Sequence, residues 1–424
     1  MTARSFLPGI DAKGNNVPGS NSLPDRLLAS STVLRSSAPV LRELGERGRI
    51  RTLAGLALNW RDPEDPYRRE ALEVLPAECG LSREMVEHGI EQAFSVITEQ
   101  ALRYWCLEEA SGKPYQGRAD PPELSAHIWA SNVFVAGLPP VIASLLAGSP
   151  ALIKAPDNMP SFAVLLARSV AEHAPELGSC LGAAAWSRGD IASTATFMDT
   201  ADVLFAFGED STLDSIRALY FRPLFAFGAR YSISVISAGS LGNDENIDAL
   251  IDQMAPDHFA WDGRGCLTPR WVFVEGSAAI ARMLAERAAS RLPELAMRFP
   301  AQPLGDEAAA ERSAWLGETG FAGWSRAGAG WACASLDSAT LEPVPPHRSM
   351  CFVPIDSLDD LPLLLSPLGN HLQGLSFVGN EHAREELAKE LQGLGLSRVT
   401  SPGDLQRPPV HWSHDGVRIL AAFC

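Results

Sequence analysis

The chain has 424 residues, which is long enough for two or three domains. Its formal net charge of −16 argues against a nucleic-acid backbone as a partner. The seven cysteines are odd in number and include no C-x-x-C pair, which argues against a disulfide framework and a structural metal site. No apolar run reaches the ~18 residues of a membrane span, and the N-terminus lacks the apolar core of a signal peptide. We therefore expect a soluble cytoplasmic protein.

The first part of the chain predicts helices only. Residues 1–60 are rich in Gly, Pro, Ser and Arg, and indicate helix near 38–58. From 82 to 110 apolar residues recur at helical spacing, which predicts one long amphipathic helix. Prolines at 114, 121 and 122 then end the pattern.

From residue 126 onward short apolar runs alternate with helical patterns. This alternation is typical of crossover units on a parallel sheet, so we predict an α/β fold. The predicted strands lie at 128–130, 133–135, 151–154, 183–186, 203–207, 223–227, 232–237, 271–275, 349–353, 375–378 and 397–400. The predicted helices lie at 139–146, 160–173, 211–219, 247–254, 277–290, 357–365 and 382–393, and the stretch 317–335 is left unassigned. We expect a first domain over 1–255, a second over 256–402 and a tail over 403–424.

Cys266 is the candidate nucleophile. It follows Gly265 and precedes a short turn and a predicted strand, and Arg264 and Arg270 bring positive charge near its sulfur. Positive charge favours the thiolate, which is the form that attacks an electrophile. The alternative is a small buried apolar residue, which is the commoner role of a free cysteine.

Three further residues follow predicted parallel strands. Asn132, Lys154 and Gly208 each lie at or just after a carboxyl end, where open α/β sheets bind ligands. The sequence contains no G-x-G-x-x-G or phosphate-binding P-loop motif. Turn chemistry alone explains each residue taken singly, so their combination carries the inference.

That combination resembles the aldehyde dehydrogenase superfamily, and more closely its acyl-CoA reductase branch, the LuxC family. The segments that carry the resemblance are Asn132-Val133, Leu152-Ile153-Lys154, Gly208-Glu209-Asp210-Ser211-Thr212, Gly265-Cys266-Leu267-Thr268-Pro269 and the closing segment from His411 to Gly416. The resemblance implies a Rossmann-type cofactor domain preceded by a helical segment, and a second α/β catalytic domain that carries the cysteine. The tail from 403 would return to the cofactor domain or form an oligomer interface.

The resemblance also implies a chemistry. Cys266 would attack the thioester of an acyl-CoA or an acyl-carrier protein and hold the acyl group covalently. The Asn132 amide and the Cys266 backbone N–H would form the oxyanion hole. Reduction of the acyl-enzyme by a nicotinamide cofactor would release an aldehyde.

Four residues would bind that cofactor. Lys154 would contact the adenosine ribose or a 2′-phosphate, and Gly208 and Thr212 would border the phosphates and the nicotinamide. Asp157 is where the superfamily often carries an acidic residue that binds ribose hydroxyls and repels a 2′-phosphate. The LuxC branch implies NADPH, with NADH as the alternative that Asp157 favours.

Other interpretations stay open at this point. One is a cysteine acyltransferase or thioesterase that uses His258 or His414 as base and no nicotinamide. Another is a non-catalytic binding subunit with the same fold. The superfamily also implies a homodimer or homotetramer, and the apolar segment 419–424 could pair as an edge strand with a neighbour.

Overall fold

The computed structural model describes residues 4–10, 22–110, 120–242 and 244–423. The chain forms two compact units, the first being Met1–Gly228 with Pro409–Cys424 and the second Ala229–Pro408. The observed division therefore falls at 228/229, whereas the sequence suggested about 255. The reason is that the strand at 231–236 pairs with strands of the second unit.

The first unit begins with helices. They are α1 Leu23–Glu43, α2 Gly45–Arg61, α3 Pro66–Cys79, α4 Arg83–Ser95, α5 Glu99–Trp105 and a π-helical turn Cys106–Ala110. The single helix predicted over 82–110 is wrong, because Thr98 starts α5 anew by accepting the Ala101 N–H at 3.1 Å. Most of α1 was not predicted from the sequence; three of its serines, Ser31, Ser36 and Ser37, donate to carbonyls one turn earlier in the helix, Ser37 to the Leu34 carbonyl at 2.6 Å.

The first sheet has six strands in the order β1-β4-β3-β2-β5-β6. They are β1 Ser5–Phe6, β2 Ser125–Ile128, β3 Ala151–Ala155, β4 Leu181–Ala185, β5 Val203–Phe207 and β6 Leu224–Phe227. Helices α6 Leu138–Ala147, α7 Ser161–His173, α8 Ile191–Thr200 and α9 Asp210–Leu219 connect them. Only β1 runs antiparallel to its neighbour among these strands. Residues 133–135, predicted as a strand, instead form the turn before α6.

The second sheet has seven strands in the order β13-β12-β7-β8-β11-β10-β9. They are β7 Tyr231–Ile236, β8 Pro269–Glu275, β9 Gly323–Gly328, β10 Trp331–Leu336, β11 Ser349–Ile355, β12 Leu372–Val378 and β13 Arg398–Thr400. The helices of this unit are α10 Asp244–Phe259, α11 Ala278–Arg298, α12 Asp306–Phe321, α13 Leu361–Leu365 and α14 Glu381–Leu391. The unassigned stretch 317–335 contains the end of α12 and the antiparallel pair β9–β10.

Alternating side chains of the second sheet fill two separate cores. On β8, Trp271 and Phe273 face the core that includes Trp315 of α12, whereas Val272 and Val274 face the core beneath α10 and α11. Both faces of the sheet are thus covered by helices, which explains why its strands read as nearly continuous apolar runs.

The C-terminal residues belong to the first unit. Leu420–Phe423 form a buried 3₁₀ turn, and the Phe423 ring stacks on Phe205 at 5.0 Å. The N–H groups of Leu420 and Ala421 donate to the Glu109 carboxylate at 2.8 and 3.2 Å. The described residues 420–423 therefore do not form the edge strand suggested for segment 419–424; Cys424 lies outside the described residues. Among the described residues, no helix combines the length and apolar character needed to cross a bilayer.

Candidate active site

Cys266 lies on a short loop between the turn Ala260–Gly263 and strand β8. Of the cysteines in the described part of the chain, it alone is partly exposed. Hydrogen bonds fix the loop on both sides of the sulfur: Ser232 Oγ donates to the Cys266 carbonyl at 2.9 Å, and the Thr268 N–H donates to the Gly265 carbonyl at 3.0 Å. A partly exposed thiol on a fixed loop suits a nucleophile, whereas a buried thiol does not.

The turn before the cysteine has an unusual backbone. Trp261, Asp262 and Gly263 all have positive φ, at 56°, 52° and 71°. A side chain at Gly263 would place its Cβ 2.8 Å from the backbone nitrogen of Arg348. Glycine at this position therefore allows the turn before Cys266 and the segment at His347 and Arg348 to approach closely. Left-handed non-glycine residues cost about 1–3 kcal/mol each and persist only where the surroundings hold them.

A buried ion pair supplies that support. Arg348, which is 2% exposed, donates through Nε to Asp262 Oδ1 at 2.9 Å. Its Nη2 also donates to the Pro300 carbonyl at 3.3 Å, and the His347 N–H donates to the Asp262 carbonyl at 3.0 Å. Burial lowers the pKa of the Arg348 guanidinium, and the Asp262 carboxylate opposes that shift. Removing either partner would leave a buried charge unpaired, which typically costs 3–5 kcal/mol.

Arg270 is one of the two arginines expected near the sulfur; the other, Arg264, donates to the Trp261 carbonyl at 3.3 Å. Arg270 lies on β8, where burial lowers the pKa of its guanidinium. The ionised forms of Tyr231, Cys266 and Glu311 would raise that pKa. Arg270 is therefore within electrostatic reach of Cys266. A cation at that range stabilises a thiolate.

A second set of contacts supports the residues that follow Cys266 in the loop. These contacts were not predicted from the sequence. The Gln406 amide donates to Thr268 Oγ1 at 3.1 Å and to the Asp257 carbonyl at 3.0 Å. The Asp257 carboxylate accepts the Gly403 N–H at 2.7 Å. Burial raises the pKa of Asp257 to about 7, and the backbone N–H groups oppose this rise. Gln406 thus ties the residues after Cys266 to the end of α10.

The two histidines proposed as alternative bases have different surroundings. Burial lowers the pKa of His258 to about 3, so this imidazole is a weak proton acceptor at neutral pH. His414, in the first unit, packs edge-on against Phe207 and Phe227 at 5.5 and 4.9 Å between ring centres. The environment of His258 therefore does not favour a general base for a cysteine hydrolase, whereas His414 has the Asp415 carboxylate 3.8 Å from its Nε2.

In the first unit the predicted ligand-binding residues lie at or after the carboxyl ends of the parallel strands. Ile128 at the end of β2 lies opposite both Lys154 of β3 and Ala206 of β5. Asn132, in the exposed loop after β2, and Gly208, just after β5, therefore follow the two adjacent strands between which the strand order reverses. This is the position where open α/β sheets bind ligands.

Lys154 has a confined environment. Its Nζ lies 3.4 Å from the Ala155 carbonyl and 3.5 Å from that of Trp186, and 5.2 Å from the centre of the Trp186 ring. Burial lowers the pKa of Lys154, Asp157 raises it and Arg188 lowers it further. Asp157 is itself engaged by Arg4 in an ion pair that sequence reasoning missed.

Gly208 and Thr212 lie side by side at the start of α9. The Gly208 N–H donates to the Phe227 carbonyl at 3.2 Å, and a Cβ at Gly208 would be 3.7 Å from the Thr212 side chain. Glu209 and Asp210 add negative charge at this helix end. The donor set around Lys154 fits an anionic, sugar-bearing ligand, whereas the start of α9 fits phosphate less well.

Several solved structures share the fold of this chain. The chain is similar to aldehyde dehydrogenase 21 from Physcomitrella patens, in complex with succinate, at 12% identity and a TM-score of 0.69, covering 94% of this chain and 88% of that one. It is also similar to the indole-3-acetaldehyde dehydrogenase AldA of P. syringae, in complex with NAD⁺ and IAA, at 12% identity and a TM-score of 0.69, covering 95% and 89%. An NAD-dependent aldehyde dehydrogenase from Sinorhizobium meliloti matches at 14% identity and a TM-score of 0.65, covering 89% and 79%. The fold is that of the aldehyde dehydrogenases, and the predicted fold class is confirmed.

Comparison with family models assigns the chain to one family. The family model for acyl-CoA reductase (LuxC) matches residues 52–424. The chain therefore belongs to the LuxC acyl-CoA reductase family, as the sequence motifs predicted. No curated protein matches it in sequence.

Proposed function

We propose that this protein reduces an acyl thioester to an aldehyde through a covalent acyl-Cys266 intermediate, with NADPH as the hydride donor. The observation that carries the proposal is the partly exposed Cys266 on a braced loop, within electrostatic reach of Arg270, in a chain of the LuxC acyl-CoA reductase family. An acyl-CoA donor follows from the family, and an acyl-carrier protein is the alternative donor.

The chain's own residues account for the acyl-transfer step. The Cys266 thiolate would attack the thioester carbonyl, forming a new C–S bond while the bond to the leaving thiolate breaks. The backbone N–H of Cys266 would donate to the oxyanion as it forms, and the resemblance assigns the Asn132 amide as a second donor. When bound, the reduced nicotinamide would supply the hydride that converts the acyl group into an aldehyde. Release of the aldehyde would return Cys266 as a thiolate.

Residues of the first unit would bind the cofactor. Lys154 and Asp157 would contact the adenosine ribose, and the resemblance assigns Gly208 and Thr212 to the border of the phosphates and the nicotinamide, against which the acidic Glu209 and Asp210 count. Support comes from their position at the carboxyl edge of the sheet, where β2 and β5 meet.

The direct test follows oxidation of the reduced cofactor. Purified protein is mixed with NADPH or NADH and a panel of acyl-CoA thioesters, and the aldehyde is identified chemically. Thioester-dependent oxidation of the cofactor, with aldehyde formed in equal amount, is the expected result. Release of free coenzyme A with no aldehyde would instead favour the thioesterase or acyltransferase alternative.

The oxyanion assignment gives a separate prediction. Asn132→Ala should lower kcat by ~10²-fold, with a smaller effect on KM, because the amide would act mainly on charge that develops in the transition state. Asn380, which caps α14, offers a control: Asn380→Ala should affect stability rather than kcat. An unchanged kcat in Asn132→Ala would remove this residue from the mechanism.

The support behind the cysteine loop gives another prediction. Gln406→Ala should lower kcat by ~10-fold and change KM little, because the loop would lose its tie to Thr268 and Asp257 without losing any contact to substrate. The exposed Gln392 provides a matched control, since Gln392→Ala should leave kcat unchanged. Equal kcat in the two variants would show that this contact does not position the cysteine.

A further inference from the structure

The N-terminal strand brings an arginine to the ligand-binding edge of the first sheet. Strand β1 runs antiparallel to β4, with Ser5 opposite Ala184 and Phe6 opposite Ala183. The Ala185 N–H donates to the Arg4 carbonyl at 3.0 Å, and Arg26 donates to Ser5 Oγ at 3.1 Å. Because β1 is antiparallel, its first residue lies at the carboxyl end of β4.

Lys154 lies at the same level. In the pairing of β3 with β4, Lys154 is opposite Ala184 and Ala155 is opposite Ala185. Arg4 thus meets the loop that follows β3: its Nη2 forms an ion pair with the Asp157 carboxylate and donates to the Asp157 carbonyl at 3.2 Å. The family match begins only at residue 52, so Arg4 lies outside the part of the chain that the family model covers.

The charges around this point sum to a positive value. Arg4, Lys154 and Arg188 contribute three cationic side chains, and Asp157 contributes one carboxylate. A free carboxylate would accept hydrogen bonds from ribose hydroxyls and repel a 2′-phosphate. A carboxylate already held by an arginine does both less effectively, because its charge is screened and its oxygens are occupied.

We propose that Arg4 makes the ribose site compatible with a 2′-phosphate by pairing with Asp157, so that this N-terminal arginine sets the preference for NADPH over NADH. The inference rests on the proposed nicotinamide-binding function and adds a specificity-determining residue to it. Asp157 is then no longer an obstacle to NADPH, as it was when only the sequence was considered.

The test measures binding rather than turnover. Isothermal titration calorimetry of the full chain with adenosine 2′,5′-bisphosphate and with 5′-AMP separates the 2′-phosphate from the rest of the nucleotide. Arg4→Ala should weaken the bisphosphate by ~10-fold and 5′-AMP by less than ~2-fold, because the Asp157 carboxylate, once unpaired, would repel the 2′-phosphate; a tenfold change corresponds to about 1.4 kcal/mol, the scale expected for a carboxylate beside a phosphate in a solvated site. Steady-state kinetics should show the same fall in the ratio of kcat/KM for NADPH over NADH.

A double variant tests whether Arg4 acts through Asp157. Asp157→Ser alone should strengthen bisphosphate binding, and in that background Arg4→Ala should change it by less than ~2-fold. Arg217→Ala is the matched control, because Arg217 forms a similarly exposed ion pair with Asp214 within α9. The nucleotide affinities of this variant should not change.

Three results would overturn the proposal: an unchanged affinity ratio in Arg4→Ala, an equal loss of affinity for both ligands, or a full Arg4→Ala effect in the Asp157→Ser background. Failure of the unaltered protein to bind either nucleotide is a different result. It would overturn the proposed function itself, and the role of Arg4 with it.

Discussion

Replacement of Cys266 by alanine is expected to abolish aldehyde formation, with kcat falling by at least ~10³-fold. The remaining parts of a site can bind the thioester and polarise its carbonyl, but none of them can form the covalent acyl intermediate. Folding should be unaffected, because Cys266 is partly exposed and its neighbours are held by backbone and Ser232 contacts that alanine preserves. Nucleotide binding should be unaffected as well, since the residues proposed to bind the nucleotide lie in the first unit.

The experiment needs three measurements and one control. Cofactor oxidation gives the rate, mass spectrometry of the protein after incubation with acyl-CoA alone detects the acyl-enzyme, and thermal unfolding reports the fold. The control is Cys351→Ala on strand β11, where burial raises the thiol pKa to about 12 and so keeps it protonated. The Cys351→Ala variant should acquire the acyl group normally, although loss of the buried thiol from the core lowers the stability of the protein. Reductase activity retained by Cys266→Ala would refute the nucleophile assignment.

The sequence was sufficient for the parts of the fold that depend on local pattern. Strand β5 has the predicted bounds of 203–207, and Gly148 ends α6 in a left-handed conformation at φ 91° as a helix-terminating glycine should. Continuous apolar runs and turn residues carry such information within a few positions. The ends of β3 and β5, and hence the positions of Lys154 and Gly208, were predictable for the same reason, whereas β2 ends at Ile128 and not at the predicted residue 130.

Contacts between distant residues could not be predicted in this way. The Asp262–Arg348 pair spans 86 positions and the Arg4–Asp157 contact spans 153. Each depends on how two strands come together, and a single sequence contains no local signal for that pairing. The β9–β10 hairpin was missed for a different reason: its Gly- and Ala-rich strands lack the apolar alternation that marks a strand. The residues that brace the Cys266 loop were thus beyond sequence reasoning, whereas the proposal of Cys266 as nucleophile needs only its neighbours in the sequence.

The second large effect concerns the acceptor of the acyl group when the reaction runs in reverse. Hydrolytic aldehyde dehydrogenases resemble this chain but carry a glutamate before the cysteine that activates water. By the resemblance, the corresponding segment here is Ala226-Phe227-Gly228-Ala229-Arg230, beginning in strand β6, and it would place Ala226 where that glutamate stands. The sequence contains no acidic residue between Asp214 and Asp244, so a shift of a few positions does not supply one.

An alanine cannot accept a proton, so attack of water on the acyl-enzyme would lack a general base at this position. Thiols are far better nucleophiles than water near neutral pH, and coenzyme A would then be the acceptor. We expect that aldehyde and oxidised cofactor give acyl-CoA when coenzyme A is present, and less than a few per cent of that rate, with no accumulation of free acid, when it is absent. Chromatography of the products with and without coenzyme A distinguishes the cases, with Cys266→Ala as the background.

Ala226→Glu tests the reason as well as the result, because a restored carboxylate should raise release of free acid from the acyl-enzyme. Rapid formation of free fatty acid by the unaltered protein without coenzyme A would contradict the prediction, because some other group would then have to activate water.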